Sequence, residues 1–463
     1  MPVNSFDNYP LTWKPKKETL TPPYYKALAQ DLEEKIKAGL LASGVKLPPQ
    51  REIADYLDLN YTTITRAYEL CKKKGLIYGT TGKGTFVAPH ASEDVTIMVS
   101  NPTSYIELGA VNAFSEYSGP IEEATQEVVR KGYLRGLYEY SHPAGHPHQL
   151  SAAVRWMEQL GVHTDLEHTA IFAGAQNALT VALISLFSPG DRIAVDSYTY
   201  SGMIELSKLL HISLIPVAGN GQGMCPEALE KACARNHISG IYLMPSFATP
   251  TAIIMPLSRR KELAEIIQKQ RLILIEDDIA SWMFALDGAV PPSLFDLLEG
   301  HSVYICGMSK SLCPGLRIAY MAFGDAYQKV ILHGLFNINI KTSSLDAEII
   351  SELILNGDAY KIAEYKRGMA EKSCSVFEQY FPGCQPSVTA GYFKWLPISV
   401  QQSGEQIEAD LMQLGVRVYH SGRFSVQGQP KQNFLRVALC SAGSDKNLRK
   451  GLSILKNYLQ NSV

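Results

Sequence analysis

Apolar residues in the first ninety positions fall at helical steps. Tyr25, Leu28, Leu32, Ile36 and Leu40 recur three or four residues apart, which predicts one stripe of an amphipathic helix that stops near Gly39. A shorter helix is expected after Pro48-Pro49, with Ile53, Ala54 and Leu57 turned inward. Asn60 predicts the N-cap of a third helix reaching about Lys74, with Ile64, Ala67, Tyr68 and Cys71 on its inner face and Gly75 at its end. The period then changes: Leu76-Ile-Tyr and Thr85-Phe-Val are strand-like runs joined by Gly79-Thr-Thr-Gly-Lys-Gly84. Three helices followed by a hairpin predict a winged helix-turn-helix over residues 20–90.

Residues 91–120 are weakly periodic and read as a linker. Beyond them, over residues 121–463, strand-like and helix-like runs alternate: IYLMPS (241–246), KELAEIIQKQ (261–270), LILIEDD (272–278) and VYICGMSK (303–310). That order predicts an α/β domain with a mostly parallel sheet covered by helices. Chemistry in such sheets collects at the C-terminal ends of the strands, where Glu276-Asp277-Asp278 and Lys310 fall.

Composition narrows the class. A chain of 463 residues exceeds one ordinary core, so two domains are expected. Hydrophobic residues make up 46% and charged ones 19%, a globular balance. No apolar run is long enough for a membrane span and the N-terminus has no signal core, so a soluble, cytoplasmic protein is expected. The eight cysteines are scattered without a CxxC pair, which indicates neither a disulfide framework nor a cysteine zinc site. Net charge is −2, but residues 1–90 hold 13 Lys+Arg against 9 Asp+Glu, or +4, which leaves 30 against 36, or −6, for the remainder. A basic head on an acidic body points to a polyanion partner for the head.

The third helix presents Tyr61, Thr62, Thr63, Thr65 and Arg66 away from its core face, a polar set able to reach groove edges and phosphates. The hairpin turn adds Lys83, which can neutralise a phosphate. In the second part, Lys310 stands beside Ser309 and seven residues before Arg317, with the turn Pro314-Gly315 between. A lysine beside a phosphate clamp suits an aldehyde cofactor that bears a phosphate, with an imine at one end and an anion site at the other. Gly174-Ala-Gln-Asn-Ala-Leu179 follows a strand-like run and opens an apolar helix, a phosphate cradle at a helix N-terminus. Asp277 reads either as the partner of a protonated pyridine nitrogen or as a helix cap, and Tyr200 either as a ring contact or as plain core.

These motifs carry a resemblance. The segment YYKALAQDLEEKIKAGLLASGVKLPPQREIADYLDLNYTTITRAYELCKKKGLIYGTTGKGTFV resembles the GntR-type winged helix almost from end to end. The resemblance implies DNA contacts from Arg51 of the LPPQRE turn, from Tyr61, Thr62, Thr63 and Arg66 at the start of the recognition helix, and from Lys83. Where Tyr61 stands, members of that family often carry a basic residue. GAQNAL, VDSYTYSG, PSFATPTA, LILIEDD, SKSLCPGLRIAY and FLRVAL, over roughly residues 120–460, are similar to fold-type I, pyridoxal-phosphate-dependent aminotransferases of class I/II.

That likeness implies a large domain with a mostly parallel sheet and a smaller C-terminal α+β subdomain. It makes Lys310 the Schiff-base lysine and Asp277 the pyridinium partner. Gly174, Ala175, Gln176, Ser309 and Arg317 then line the phosphate, Tyr200 flanks the ring, Thr249 lies at the cofactor, and Arg436 receives a substrate carboxylate. Departures are plain: Thr249 replaces the asparagine before Pro250, Ala252 the motif's glycine, Ile279 a tyrosine two after Asp277, and Gly307 a serine three before Lys310. They bear on catalytic efficiency more than on cofactor binding. The three histidines of Ser141-His-Pro-Ala-Gly-His-Pro-His148 fall where the family has its YxxPxGxxxL loop, so a loop is expected and no metal site.

A GntR-type head followed by an aminotransferase-like body resembles the MocR/GabR regulators. The resemblance implies a homodimer that binds double-stranded DNA and senses pyridoxal 5'-phosphate, alone or with an amino acid or amine. A working aminotransferase carrying a DNA-binding head is the alternative, and a third reading makes the large domain a dimerisation scaffold.

Overall fold

The computed structural model describes residues 12–37, 40–41, 44–80, 84–88, 105–114, 117–285, 291–298, 300–385, 387–400, 402–426 and 432–461. The chain divides into two compact units, Met1–Asn101 and Pro102–Val463.

The first unit holds the helices α1 (Tyr24–Lys37), α2 (Gln50–Leu57) and α3 (Tyr61–Lys73), then strands β1 (Ile77–Thr80) and β2 (Gly84–Val87). The strands pair antiparallel, Ile77 opposite Val87 and Thr80 opposite Gly84. The expected inner faces are buried: Leu28, Leu32 and Ile36 of α1, Ile53, Ala54 and Leu57 of α2, and Ile64, Ala67, Tyr68 and Cys71 of α3. Asn60 caps α3, its side-chain oxygen accepting from the Thr62 amide at 2.9 Å. Leu40 departs from expectation. The helix has already ended, Leu40 is exposed, and Leu41 enters the core instead. The core also reaches further toward the N-terminus than residue 20, because Trp13 is buried against Tyr68 and its indole N–H donates to Asp31 at 2.7 Å. Lys83 lies outside the described residues.

In the second unit the strands are, in chain order, β3 (Ile106–Glu107), β4 (Thr169–Phe172), β5 (Arg192–Asp196), β6 (Ser213–Val217), β7 (Gly219–Asn220), β8 (Gly223–Met224), β9 (Gly240–Leu243), β10 (Ile273–Asp278), β11 (Ser302–Gly307), β12 (Ala319–Phe323), β13 (Phe393–Ile398), β14 (Val416–Arg417), β15 (Tyr419–His420) and β16 (Asn433–Ala438). Seven form the central sheet in the order β4-β12-β11-β10-β9-β5-β6. Within it β11, β10, β9, β5 and β6 run parallel, and β12 is antiparallel to both its neighbours. Strands β10, β11 and β12 are buried along nearly their whole length, as expected for a sheet with helices on both faces. A smaller sheet, β13-β16-β15, packs with the helices Asp358–Tyr380 and Asp445–Asn461 in a second core.

The stretch read as a linker over 91–120 is in part something else. Residues 91–104 are outside the described residues, but from residue 105 the chain belongs to the second unit. There β3 pairs with β14, and Leu108 is fully buried. A two-residue strand is too short to leave a period in the sequence, so its packing was not visible there. Among the described residues, no helix is long and apolar enough to cross a membrane.

Candidate functional site

Strand β10 ends in three buried carboxylates, and their neighbours separate their roles. Glu276 accepts from the Phe295 amide at 2.8 Å and lies 3.9 Å from the buried Arg260. Asp278 is saturated: one oxygen accepts from the Ala280 and Ser281 amides at 3.0 and 2.8 Å, and the other accepts from the Tyr304 hydroxyl at 2.6 Å. Asp277 accepts from the Tyr242 hydroxyl at 2.7 Å through Oδ2, while its Oδ1 is buried without a partner. The loop-capping role that sequence left open for Asp277 therefore falls to Asp278. Burial pushes the Asp277 carboxyl up to about 7, with the Tyr242 hydrogen bond pulling the other way.

Lys310 follows β11 in the short helix Met308–Ser311. Burial brings its amine down to about 8; a smaller upward pull from Cys440 opposes it, and the guanidiniums of Arg436 and Arg317 assist it. Its Nζ donates to the Val111 carbonyl. Its own carbonyl accepts from the Tyr392 hydroxyl at 2.6 Å and from Lys366 at 3.4 Å. Lys366 also donates to the Leu312 carbonyl, so one cation and one phenol brace this turn.

Arg317 donates to the Ser309 hydroxyl at 3.1 Å and lies against Gly174. Gly174 sits at φ 87° before the helix Ala175–Leu186, and a Cβ there would stand 2.6 Å from Arg317 Nη2. Only glycine meets both demands. Tyr200 donates to Gln176 Oε1 at 2.9 Å and feels the charges of Asp277, Arg436 and Arg317, which puts it among the expected residues rather than in remote core. Ala175 faces Gly307, whose missing side chain has a packing reason: a Cβ would approach Ala175 Cβ at 3.3 Å. Thr249 is buried with its hydroxyl unpartnered, ahead of Ala252, which adopts the positive φ (56°) that a glycine would take more easily.

Arg436, on β16, is buried among Phe424, Tyr419 and Phe393, the nearest ring centroid being 4.5 Å from its guanidinium carbon. Its Nη2 donates to the Gly109 carbonyl at 2.8 Å and its Nε is unpartnered. Burial lowers its pKa to about 10, so it stays charged near neutrality. Residues 109–112 thus form a strap whose carbonyls at Gly109 and Val111 reach the two buried cations. Nothing in the sequence marked the strap, since a main-chain carbonyl has no signature, nor Tyr242, which reads as one more residue of an apolar strand.

In the first unit, Arg51, Tyr61, Thr62 and Arg66 are exposed and Thr63 is half-buried. The Thr62 hydroxyl donates to Asn60 at 2.8 Å, and Thr65 donates to Gln50 Oε1 at 2.9 Å, tying α3 to α2. The Tyr61 and Arg66 side chains are exposed at the start of α3. Among the described residues no group of three His, Cys, Asp or Glu could hold a metal ion, and His146 and His148 serve the helix Pro147–Gln159 and a buried Glu348 instead.

Comparison with known proteins agrees with this geometry. Residues 105–455 match the family of class I and II aminotransferases, and residues 24–87 match the gntR family of bacterial regulatory proteins. The chain belongs to the class I and II aminotransferase family. It carries a GntR-type helix-turn-helix ahead of that domain, the MocR-like architecture. A Bacillus subtilis protein described as the uncharacterized HTH-type transcriptional regulator YdeF is 36% identical, over 99% of each chain. The 2-aminoadipate transaminase of Thermus thermophilus is 26% identical over 69% of this chain and 81% of its own. The fold is that of Thermus thermophilus LysN, an alpha-aminoadipate aminotransferase solved with N-(5'-phosphopyridoxyl)-L-leucine: the TM-score is 0.69 at 22% identity, covering 78% of this chain and 93% of that one.

Pyridoxal 5'-phosphate is the cofactor of this family, and the residues present fit it. The open Oδ1 of Asp277 offers a buried anion for a ring nitrogen, the Gly174–Arg317–Ser309 corner offers donors for a phosphate, and Lys310 offers an amine held below its usual pKa.

Proposed function

We propose that this chain is a DNA-binding transcriptional regulator whose aminotransferase-type domain holds pyridoxal phosphate and uses it to detect an amino compound. The observation that supports this most directly is the union, in one chain, of an exposed recognition-helix start in the GntR-type unit with a buried amine, an open carboxylate and a phosphate corner in the other.

Pyridoxal phosphate, when bound, supplies an aldehyde that condenses with amines and a ring that withdraws electrons. Each residue of the chain has a part around it. Arg317, Ser309 and the amides opening the helix at Ala175 bind the phosphate. Asp277 holds a proton on the ring nitrogen, and Tyr200 and Thr249 bound the ring. Lys310, its amine brought down to about 8, would hold the aldehyde end of the cofactor. Arg436 grips a carboxylate on that compound and so selects amino acids over plain amines.

A regulator needs two states whose balance the ligand tips. A homodimer in the cytoplasm, with paired heads on paired DNA sites, meets that need. Exposed apolar residues on the helix Gln328–Asn339 and just beyond it, Phe336, Ile338 and Ile340, support such an interface.

The deciding experiment is the visible spectrum of the purified protein, recorded with and without a panel of amino acids and amines, alongside duplex affinity under the same conditions. A coloured protein whose band shifts with an amino acid, and whose DNA affinity shifts with it, is the expected result. A colourless protein indifferent to pyridoxal phosphate refutes the sensor and favours a scaffold. Steady transamination at roughly 1 per second or faster favours the enzyme instead.

A further inference from the structure

Strands β9 and β10 run parallel with Tyr242 opposite Ile275. Side chains alternate faces along a strand, so Tyr242 shares a face with Ile275 and with Asp277 two residues on. On the opposite face β11 places Tyr304 opposite Glu276, and hence beside Asp278. The two tyrosines therefore serve the two aspartates one to each face. The outcomes differ, because Asp278 also takes two loop amides while Asp277 has Tyr242 alone.

We infer that Tyr242 is a positioning residue for the cofactor's ring nitrogen: its hydroxyl favours the ionised form of Asp277 against burial and leaves Oδ1 as the oxygen presented to the ring. The inference rests on the pyridoxal-phosphate reading of the domain. A hydrogen bond donated to a carboxylate favours its charged form, and here it opposes a burial that favours the neutral one. Burial holds the Tyr242 phenol well above its ordinary pKa, so it remains a donor across the working range. The other titratable groups facing this pair are Tyr200 from the loop before its helix, Asp278 on the same strand, Cys306 on β11, and Asp196 at the end of β5, which acts on Tyr242. Among the described residues Tyr242 is the one hydrogen-bond donor to Asp277, and Asp278 and Tyr200 oppose negative charge there rather than stabilise it.

The test is the affinity of the full-length protein for pyridoxal phosphate, measured by fluorescence from about pH 6 to about pH 9 in wild type, Tyr242→Phe, Asp277→Asn and the double variant. Tyr242→Phe is expected to weaken binding about tenfold near pH 7 and to move the acid fall-off of affinity upward by about one pH unit. In the Asp277→Asn background the same change is expected to alter affinity less than about twofold, since the phenol acts through the carboxylate. Tyr242→His, which keeps a ring N–H donor, should retain the wild-type profile and carries the test should the Phe variant unfold. An unshifted profile in Tyr242→Phe, or an equal loss in the Asp277→Asn background, overturns the assignment. Failure of the wild type to bind the cofactor at all would instead remove the reading on which it rests.

Discussion

The two units display their function in opposite ways. In the first, the expected contact residues stand outside a closed core: Arg51, Tyr61, Thr62 and Arg66 are exposed, and no described side chain there is both buried and unpartnered. In the second, Gly174, Thr249, Asp277 and Arg436 are buried, Lys310, Ser309, Ala175, Gln176 and Tyr200 are half-buried and Arg317 alone of the expected residues is exposed, and the unpartnered buried atoms include Asp277 Oδ1, Thr249 Oγ1 and Arg436 Nε. A surface that meets a polyanion needs mobile charge in water, where each phosphate contact is weak and salt-sensitive. A pocket for a small molecule needs desolvated groups with valences left over, because an unpaired buried polar atom costs free energy until something meets it.

Breaking the pocket alone has the largest expected effect. Lys310→Ala should abolish borohydride-fixed attachment of pyridoxal phosphate altogether, read as the missing mass on the peptide that contains residue 310, while duplex affinity without ligand stays as in wild type. Arg436→Met should follow, weakening the spectral response to a carboxylate-bearing amine by about ten- to a hundredfold and sparing the response to a plain amine, because a charge-assisted pair is lost.

The comparison is tested from the other side by the head. Arg51→Ala and Arg66→Ala are each expected to weaken duplex binding several-fold and to reduce the salt slope by about one, with cofactor binding unchanged. If cofactor binding changes instead, the division of labour is wrong. The pH dependence is smaller. With the Lys310 amine near 8, raising the pH through that value increases the neutral fraction, so capture of pyridoxal phosphate should speed up between about pH 7 and pH 9 and then level off. Smallest of all, Asn60→Ala should cost the head about 1 kcal/mol through the lost cap, seen in its thermal unfolding and absent from the pocket's spectrum.

Much of this was legible in the chain. The winged helix could be read because its core stripes and its cap are local, and only the end of α1 slipped, Leu41 taking the buried place given to Leu40. Lys310, Arg317 and Gly174 could be read because one turn and one helix start place them. What was not legible depends on neighbours from afar. Asp277 and Asp278 are the same residue type in adjacent positions, and only Tyr242 on one face and Tyr304 with two amides on the other distinguish them. The stretch from 105 to 114 looked like connection because β3 is two residues long and the bonds to Lys310 and Arg436 come from main-chain carbonyls.

That strap sets the terms on which anything enters. With Val111 bonded to Lys310 and Gly109 to Arg436 Nη2, an arriving amino acid would find Arg436 Nε free but would have to take over the other bonds from the strap. Its net affinity is the margin between two sets of partners, so a modest molecule could be told from its analogues by small differences. The backbone it evicts lies where the second unit begins, just past the stretch that leads from the DNA-reading unit.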